Sequence, residues 1–161
     1  MLRQIWSYVE TAALVLLIAL FAAMIGTCSA QVIWRYLFSD PLIWSEELAR
    51  YLFIWIGFLS SWLAWKHRAH IALDAVTMLS GPRIRAFSQR LVEAIILAFC
   101  LYTLPSSLTV VDLTHAQPSA VLELPMSVVY ASFTVMIVLI AVDIVVGWVS
   151  PAPAAATHVE A

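Results

Sequence analysis

Charge is what this chain has least of. Of its 161 residues, 11% are Asp, Glu, Lys or Arg and 63% are hydrophobic. A soluble domain carries about twice that charged share, so a water-facing fold has too little polar surface to cover itself. The formal net charge is −2, which leaves no basic surface for nucleic acid. Cysteine is nearly absent, at 2 residues. Cys28 and Cys100 lie far apart inside apolar runs. They form no CxxC pair and no Cys/His ligand spacing, and read as small core residues. Signatures for a serine hydrolase, a zinc protease, a P-loop or a dinucleotide fold are missing as well. The chain therefore reads as a non-enzyme with no cofactor and no metal. No internal repeat is visible.

What is present is apolar length. Four runs stand out, at about residues 11–33, 44–65, 91–111 and 124–149. A helix needs about 20 such residues to cross a hydrocarbon core about 30 Å thick. Strict alternation, the mark of a membrane β-barrel strand, is not seen. Backbone groups in lipid must be satisfied within the chain, which leaves helices. The expected fold is an all-α integral membrane protein of four transmembrane helices. Residues 1–149 form one membrane domain, and 150–161, rich in Pro and Ala, read as a disordered tail. Arg3, the first run and Cys28-Ser29-Ala30 imitate a cleaved leader. Apolar character continues through Trp34, however, and the run outlasts a usual leader core, so it is read as a retained span.

The span ends carry amphipathic rings: Trp6 and Tyr8, Trp34 and Tyr36, Trp44 and Tyr51, Trp62 and Trp65, and Trp148. Such rings favour the headgroup level. Lys66, Arg68, Arg83, Arg85 and Arg90 gather between the second and third runs, and Arg3 lies at the start. Positive charge stays on the cytoplasmic side. The termini and middle segment are therefore expected in the cytoplasm, with the other two loops facing outward.

Several residues carry local chemistry. Asp40-Pro41 reads as an N-cap and first-turn pair for the second helix, with Ser45 as an alternative cap. Glu46 and Glu47 then lie near a helix N-terminus, where carboxylates are favoured. Arg50 is spaced to pair with either. One reading is a capped, internally neutralised helix entry; the other is a polar contact face for a second membrane subunit. In the middle segment, Asp74, Thr77 and Ser80 share one side of a helical wheel, and Ile71, Ala72, Ala75, Val76 and Leu79 cover the other. That pattern suits a short amphipathic helix lying in the interface, ended by Gly81-Pro82. His67 and His70 have no third ligand nearby. Glu93 follows Arg90 by three residues and pairs with it or reaches water. Asp143 lies inside the fourth run, and an ionisable group there serves an ion path, a partner helix or a wet helix end. Pro105 interrupts the third run, with Ser106, Ser107 and Thr109 at hand to satisfy the carbonyl it frees.

Three stretches together carry a family resemblance. They are Arg35-Tyr36 through Trp44-Ser45-Glu46-Glu47-Leu48-Ala49-Arg50-Tyr51, running into Phe53, Trp55 and Gly57; His70-Ile71 with Asp74; and Glu123-Leu124-Pro125 through Tyr130. The chain resembles the small membrane subunit, of DctQ type, of the tripartite ATP-independent periplasmic (TRAP) transporters. It departs from the family pattern at Ser60-Ser61-Trp62 and at Phe133-Thr134-Val135. The resemblance implies a scaffold in the bacterial inner membrane that braces a large permease subunit. It implies uptake of an organic acid, a dicarboxylate or another, delivered by a periplasmic solute-binding protein and driven by a sodium or proton gradient. Membrane lipids are the remaining partner. On this reading Arg35, Trp44, Glu46, Glu47, Arg50 and Asp143 are candidate subunit contacts. His70 and Asp74 are edge contacts, and Glu123 and Pro125 mark the entry to the fourth span. The alternatives are a self-sufficient, oligomeric ion-coupled carrier using Asp143 or Glu93, and a haem-bearing respiratory anchor. The last needs His within spans, and every His here lies in a loop or the tail.

Overall fold

The computed structural model describes residues 2–67 and 82–149. Helix α1 covers Leu2–Ile33 and runs into a π-helical turn, Trp34–Phe38. Helix α2 covers Ile43–Lys66, α3 Pro82–Leu113 and α4 Ser127–Val149. All four are long and apolar enough to cross a membrane, so the chain is an all-α membrane protein. The interfacial helix expected near His70 and Asp74, and the tail from residue 150, lie outside the described residues.

Helices α1 and α3 outrun their apolar stretches. Each has 32 residues, about 48 Å at 1.5 Å per residue. That exceeds the roughly 30 Å of hydrocarbon, so each carries polar turns beyond it. Helix α3 passes through Pro105 without ending. Next to the proline, the Thr109 hydroxyl donates to Pro105 O at 2.9 Å and that of Ser107 to Leu104 O at 3.2 Å. These bonds keep the hydroxyls from needing partners in lipid.

Two ends of the molecule follow from this order. One, the terminal end, gathers the start of α1, the end of α2, the start of α3 and the end of α4. The other, the loop end, holds the α1–α2 turn and the α3–α4 connection at residues 114–126. Helix α1 packs on α2, α2 on α4, and α4 on α3. Helices α2 and α4 are therefore inside this order and α1 and α3 outside it; the apolar window of α4 is 22% buried and that of α1 6%.

The core sits toward the terminal end. Trp62 is fully buried and clusters with Ala13 and Leu63; Trp6, Val9 and Leu17 of α1 and Met136, Leu139 and Ile140 of α4 close around them. Within lipid the gain is dispersion and shape fit, since the tails outside are as apolar as the core. Farther toward the loop end, Phe58 and Phe133 meet edge to face at 5.6 Å between centroids. Ser132 is buried with its hydroxyl turned back onto Val129 O at 2.6 Å. A small, self-satisfied side chain lets backbones approach closely.

Candidate functional site

The loop end is organised by one carboxylate. Glu47 lies one turn into α2 and is 8% exposed. Its Oε2 accepts the backbone N–H of Val121 at 2.9 Å and of Leu122 at 3.0 Å. Its Oε1 accepts the hydroxyl of Tyr51, one turn further along α2. Two successive N–H groups aimed at one anion form a small concave receptor, and charge-assisted bonds of this kind are the strong ones.

The receptor exists because the connection folds back on itself. Pro118 and Pro125 face each other in an antiparallel bridge, and neither has an N–H to give. Their neighbours make the bonds: Ser119 N–H donates to Leu124 O at 2.8 Å and Met126 N–H to Gln117 O at 2.9 Å. The Leu124 N–H is taken by Ser119 Oγ at 3.2 Å. The return is turned by Glu123 in the left-handed region, at φ 53°. Residues 124–126, placed in the fourth apolar run by composition, thus belong to the connection, and α4 begins at Ser127.

The start of α2 differs from expectation. Asp40 does not cap it. The helix opens after Leu42, with no side-chain cap. Ser45 sits inside the first turn and returns its hydroxyl to Leu42 O at 2.6 Å. The chain reverses earlier, at Ser39 with φ 53°, which leaves Asp40 ahead of the helix. The spaced pairing of Arg50 with an acid is also not formed. Glu47 is occupied by the connection and Tyr51, and Glu46 Oε1 accepts from Gln31 Nε2 of α1 at 3.2 Å. Arg50 is exposed and joins none of the ion pairs among the described residues. Arg35 and Trp44 are exposed at the same end.

The terminal end is tied differently. Asp143 Oδ1 accepts the indole N–H of Trp6 at 2.7 Å, joining α4 to α1. The Trp6 ring meets Trp62 edge to face at 6.0 Å. Lys66 Nζ lies over both rings, at 5.3 and 5.5 Å, and pairs with Glu10 at 2.7 Å. His67 reaches the same carboxylate at 3.1 Å. A second group repeats the chemistry between α3 and α4. Glu93 Oε2 accepts the Trp148 indole N–H at 2.6 Å, and Arg90 lies 3.6 Å from that carboxylate and over the Trp148 ring. A cation, an acid and an indole thus close each lower corner.

Sequence reasoning did not find these indole bonds; Trp6 and Trp148 looked like interfacial anchors alone. A span-end Trp whose sequence also holds an acid at another span end on the same side is the available signal. Glu10, and the Ser107–Thr134 hydroxyl contact at 3.0 Å between α3 and α4, were missed for want of any local pattern. Among the described residues, no three His, Cys, Asp or Glu side chains come together as metal ligands.

Comparison with known proteins bears on this frame. The family described as "Tripartite ATP-independent periplasmic transporters, DctQ component" matches residues 24–153. The chain is 31% identical to the sialic acid TRAP transporter small permease protein SiaQ of Vibrio cholerae, over 77% of this chain and 67% of that one. It is 31% identical to the isethionate TRAP transporter permease protein DctMQ of Oleidesulfovibrio alaskensis, over 78% of this chain but only 21% of that one. It is 37% identical to the sialic acid TRAP transporter permease protein SiaT of Haemophilus influenzae, over 52% of this chain and 13% of that one. The chain thus spans only a small part of the two longer permease proteins that it matches.

Proposed function

The chain belongs to the DctQ family of TRAP transporter components, a multi-pass protein of the bacterial inner membrane, and from that premise we propose that it is a non-catalytic small permease subunit. It braces a large permease subunit while that subunit moves an organic acid, and a periplasmic solute-binding protein delivers the cargo. A sodium or proton gradient supplies the drive.

One observation carries the bracing role: the half-buried and buried carboxylates of the described helices are engaged inside the chain. Glu10 is held by Lys66 and His67, Glu47 by the α3–α4 connection, Glu93 by Arg90 and Trp148, and Asp143 by Trp6. An ion-coupled carrier needs polar groups near midplane that are free to exchange partners. Here the engaged acids lie at the two ends of the frame and fasten helices or the connection, which suits a rigid brace. The two long permease relatives support the large partner. In each, the counterpart of this chain is a small part of a longer polypeptide. A covalent join is an effective way to keep together two bodies that act together.

Exposed Arg35, Trp44, Glu46 and Arg50 at the loop end are the proposed contacts to the large subunit, with Glu47 setting the frame behind them. The terminal end faces the cytoplasm in this reading, because the Lys and Arg of the chain gather there. The test is a pull-down of the tagged chain from native membranes in mild detergent, read by mass spectrometry. Recovery of one large multi-spanning permease in near-equal amount is expected. Recovery of copies of this chain alone, with solute uptake by those copies in liposomes, overturns the brace and favours a small oligomeric carrier.

A further inference from the structure

Helices α1, α2 and α4, which close around Trp62 near the terminal end, also face one another nearer the loop end. Between them lies a cavity of about 360 Å³, partly open to the outside. Leu16 and Leu20 of α1, Leu48, Leu52 and Trp55 of α2, and Val128 of α4 are among its walls. Tyr51 brings the one side-chain oxygen, and that hydroxyl is already committed to Glu47, with Met126 Sδ at 3.5 Å. Leu124 of the connection also lines it, so the segment clasped by Glu47 forms part of its roof.

We propose that this cavity holds a single hydrocarbon chain of a membrane phospholipid from the leaflet at the loop end. The wall turns only apolar atoms toward the cavity, so the occupant is apolar. It lies beside membrane-spanning stretches of α1 and α2, where the surrounding medium is lipid tails. A cavity of about 150 Å³ accepts benzene, so this one has room for a dozen or so carbons in a flexible chain. Along α2 the lining runs from Leu48 to Trp55, about 10 Å at 1.5 Å per residue. Trp44 lies one turn above Leu48 on the same side and is 41% exposed. Its ring is placed where the headgroup of the bound lipid would lie.

The inference does not depend on transport and stands or falls with the chain alone. Wild type, Leu52→Trp to fill the cavity, and Val15→Trp on the exposed side of α1 are purified in mild detergent. Each is then incubated with phosphatidylethanolamine and phosphatidylglycerol vesicle lipid. Native mass spectrometry counts retained phospholipid, and a melting curve in the same detergent shows that each variant is folded. The expected result is about one phospholipid per chain in wild type and Val15→Trp, and at least a tenfold loss in folded Leu52→Trp. Equal retention in all three overturns the proposal, because the lipid is then only annular. So does the absence of retained lipid from folded wild type. If a photo-crosslinker at Leu52 in the native complex labels a protein side chain and no lipid, the occupant is a partner segment and the proposal also fails.

Discussion

The two ends of this four-helix frame are held by opposite means. At the terminal end, side chain meets side chain: two separate groups of cation, acid and indole join α1 to α2 and α4, and α3 to α4. At the loop end, one acid meets backbone: Glu47 holds Val121 and Leu122 by their N–H groups and fastens the self-bonded connection to α2. The first arrangement is divided between two groups, so that the loss of one leaves the other in place. The second is not. The contrast teaches where a small membrane subunit is tolerant of change and where it has a single point of failure.

The comparison breaks most sharply at Glu47. Glu47→Ala leaves two adjacent, part-buried backbone donors without their charged acceptor, and bonds to a charged group are the costlier ones to lose. We expect the melting temperature of the purified chain in detergent to fall by on the order of 5–10 °C. Protease cleavage is expected to appear within residues 114–126. Glu47→Gln retains one carbonyl acceptor and should fall between wild type and alanine. A fall no larger than that of the terminal-end variants would end the claim of asymmetry.

A smaller effect is expected at Asp143. In Asp143→Ala the Trp6 indole loses its acceptor, but the edge-to-face contact with Trp62 and the Lys66–Glu10 pair remain. The loss should be about 1 kcal/mol, read by thermal or denaturant unfolding in detergent. Asp143→Asn keeps an oxygen for the indole and should leave both stability and reconstituted uptake unchanged. Lost uptake in a stable Asp143→Asn protein would assign the carboxylate to the ion path.

The smallest effect on the isolated chain is expected at Arg50. It is exposed and outside the ion pairs of the described residues, so Arg50→Ala should shift stability by less than about 0.5 kcal/mol. Its proposed role is outward, so co-purification of the large subunit should drop. Unchanged recovery of that subunit would confine the contact surface to other residues.

How far these features were legible in sequence depends on their range. The spans were legible because lipid imposes length and apolarity on any stretch that crosses it. The true helix ends were not. Apolarity marks the hydrocarbon, whereas α1 and α3 continue as polar helix, back to Leu2 and Pro82. Turns at Ser39 and Glu123 adopt positive φ without glycine, so no residue announced them, and Asp40-Pro41 was mistaken for a cap. Glu47 was visible as an acid at a helix start. Its acceptor role was not, because its donors lie 74 and 75 residues away and are backbone groups, which any residue supplies.

That separation also sets an order of events. The Glu47 bonds join the second helix to a segment that follows the third, and the Trp6–Asp143 bond spans 137 residues. The loop end can be fastened only once Leu122 has been made, and the terminal end only once Asp143 has. A product truncated after α2 would keep the Tyr51 bond to Glu47 but lack the backbone donors of the connection and the acceptor of the Trp6 indole. The fasteners thus close in sequence, the loop end before the fourth helix is made and the terminal end after it.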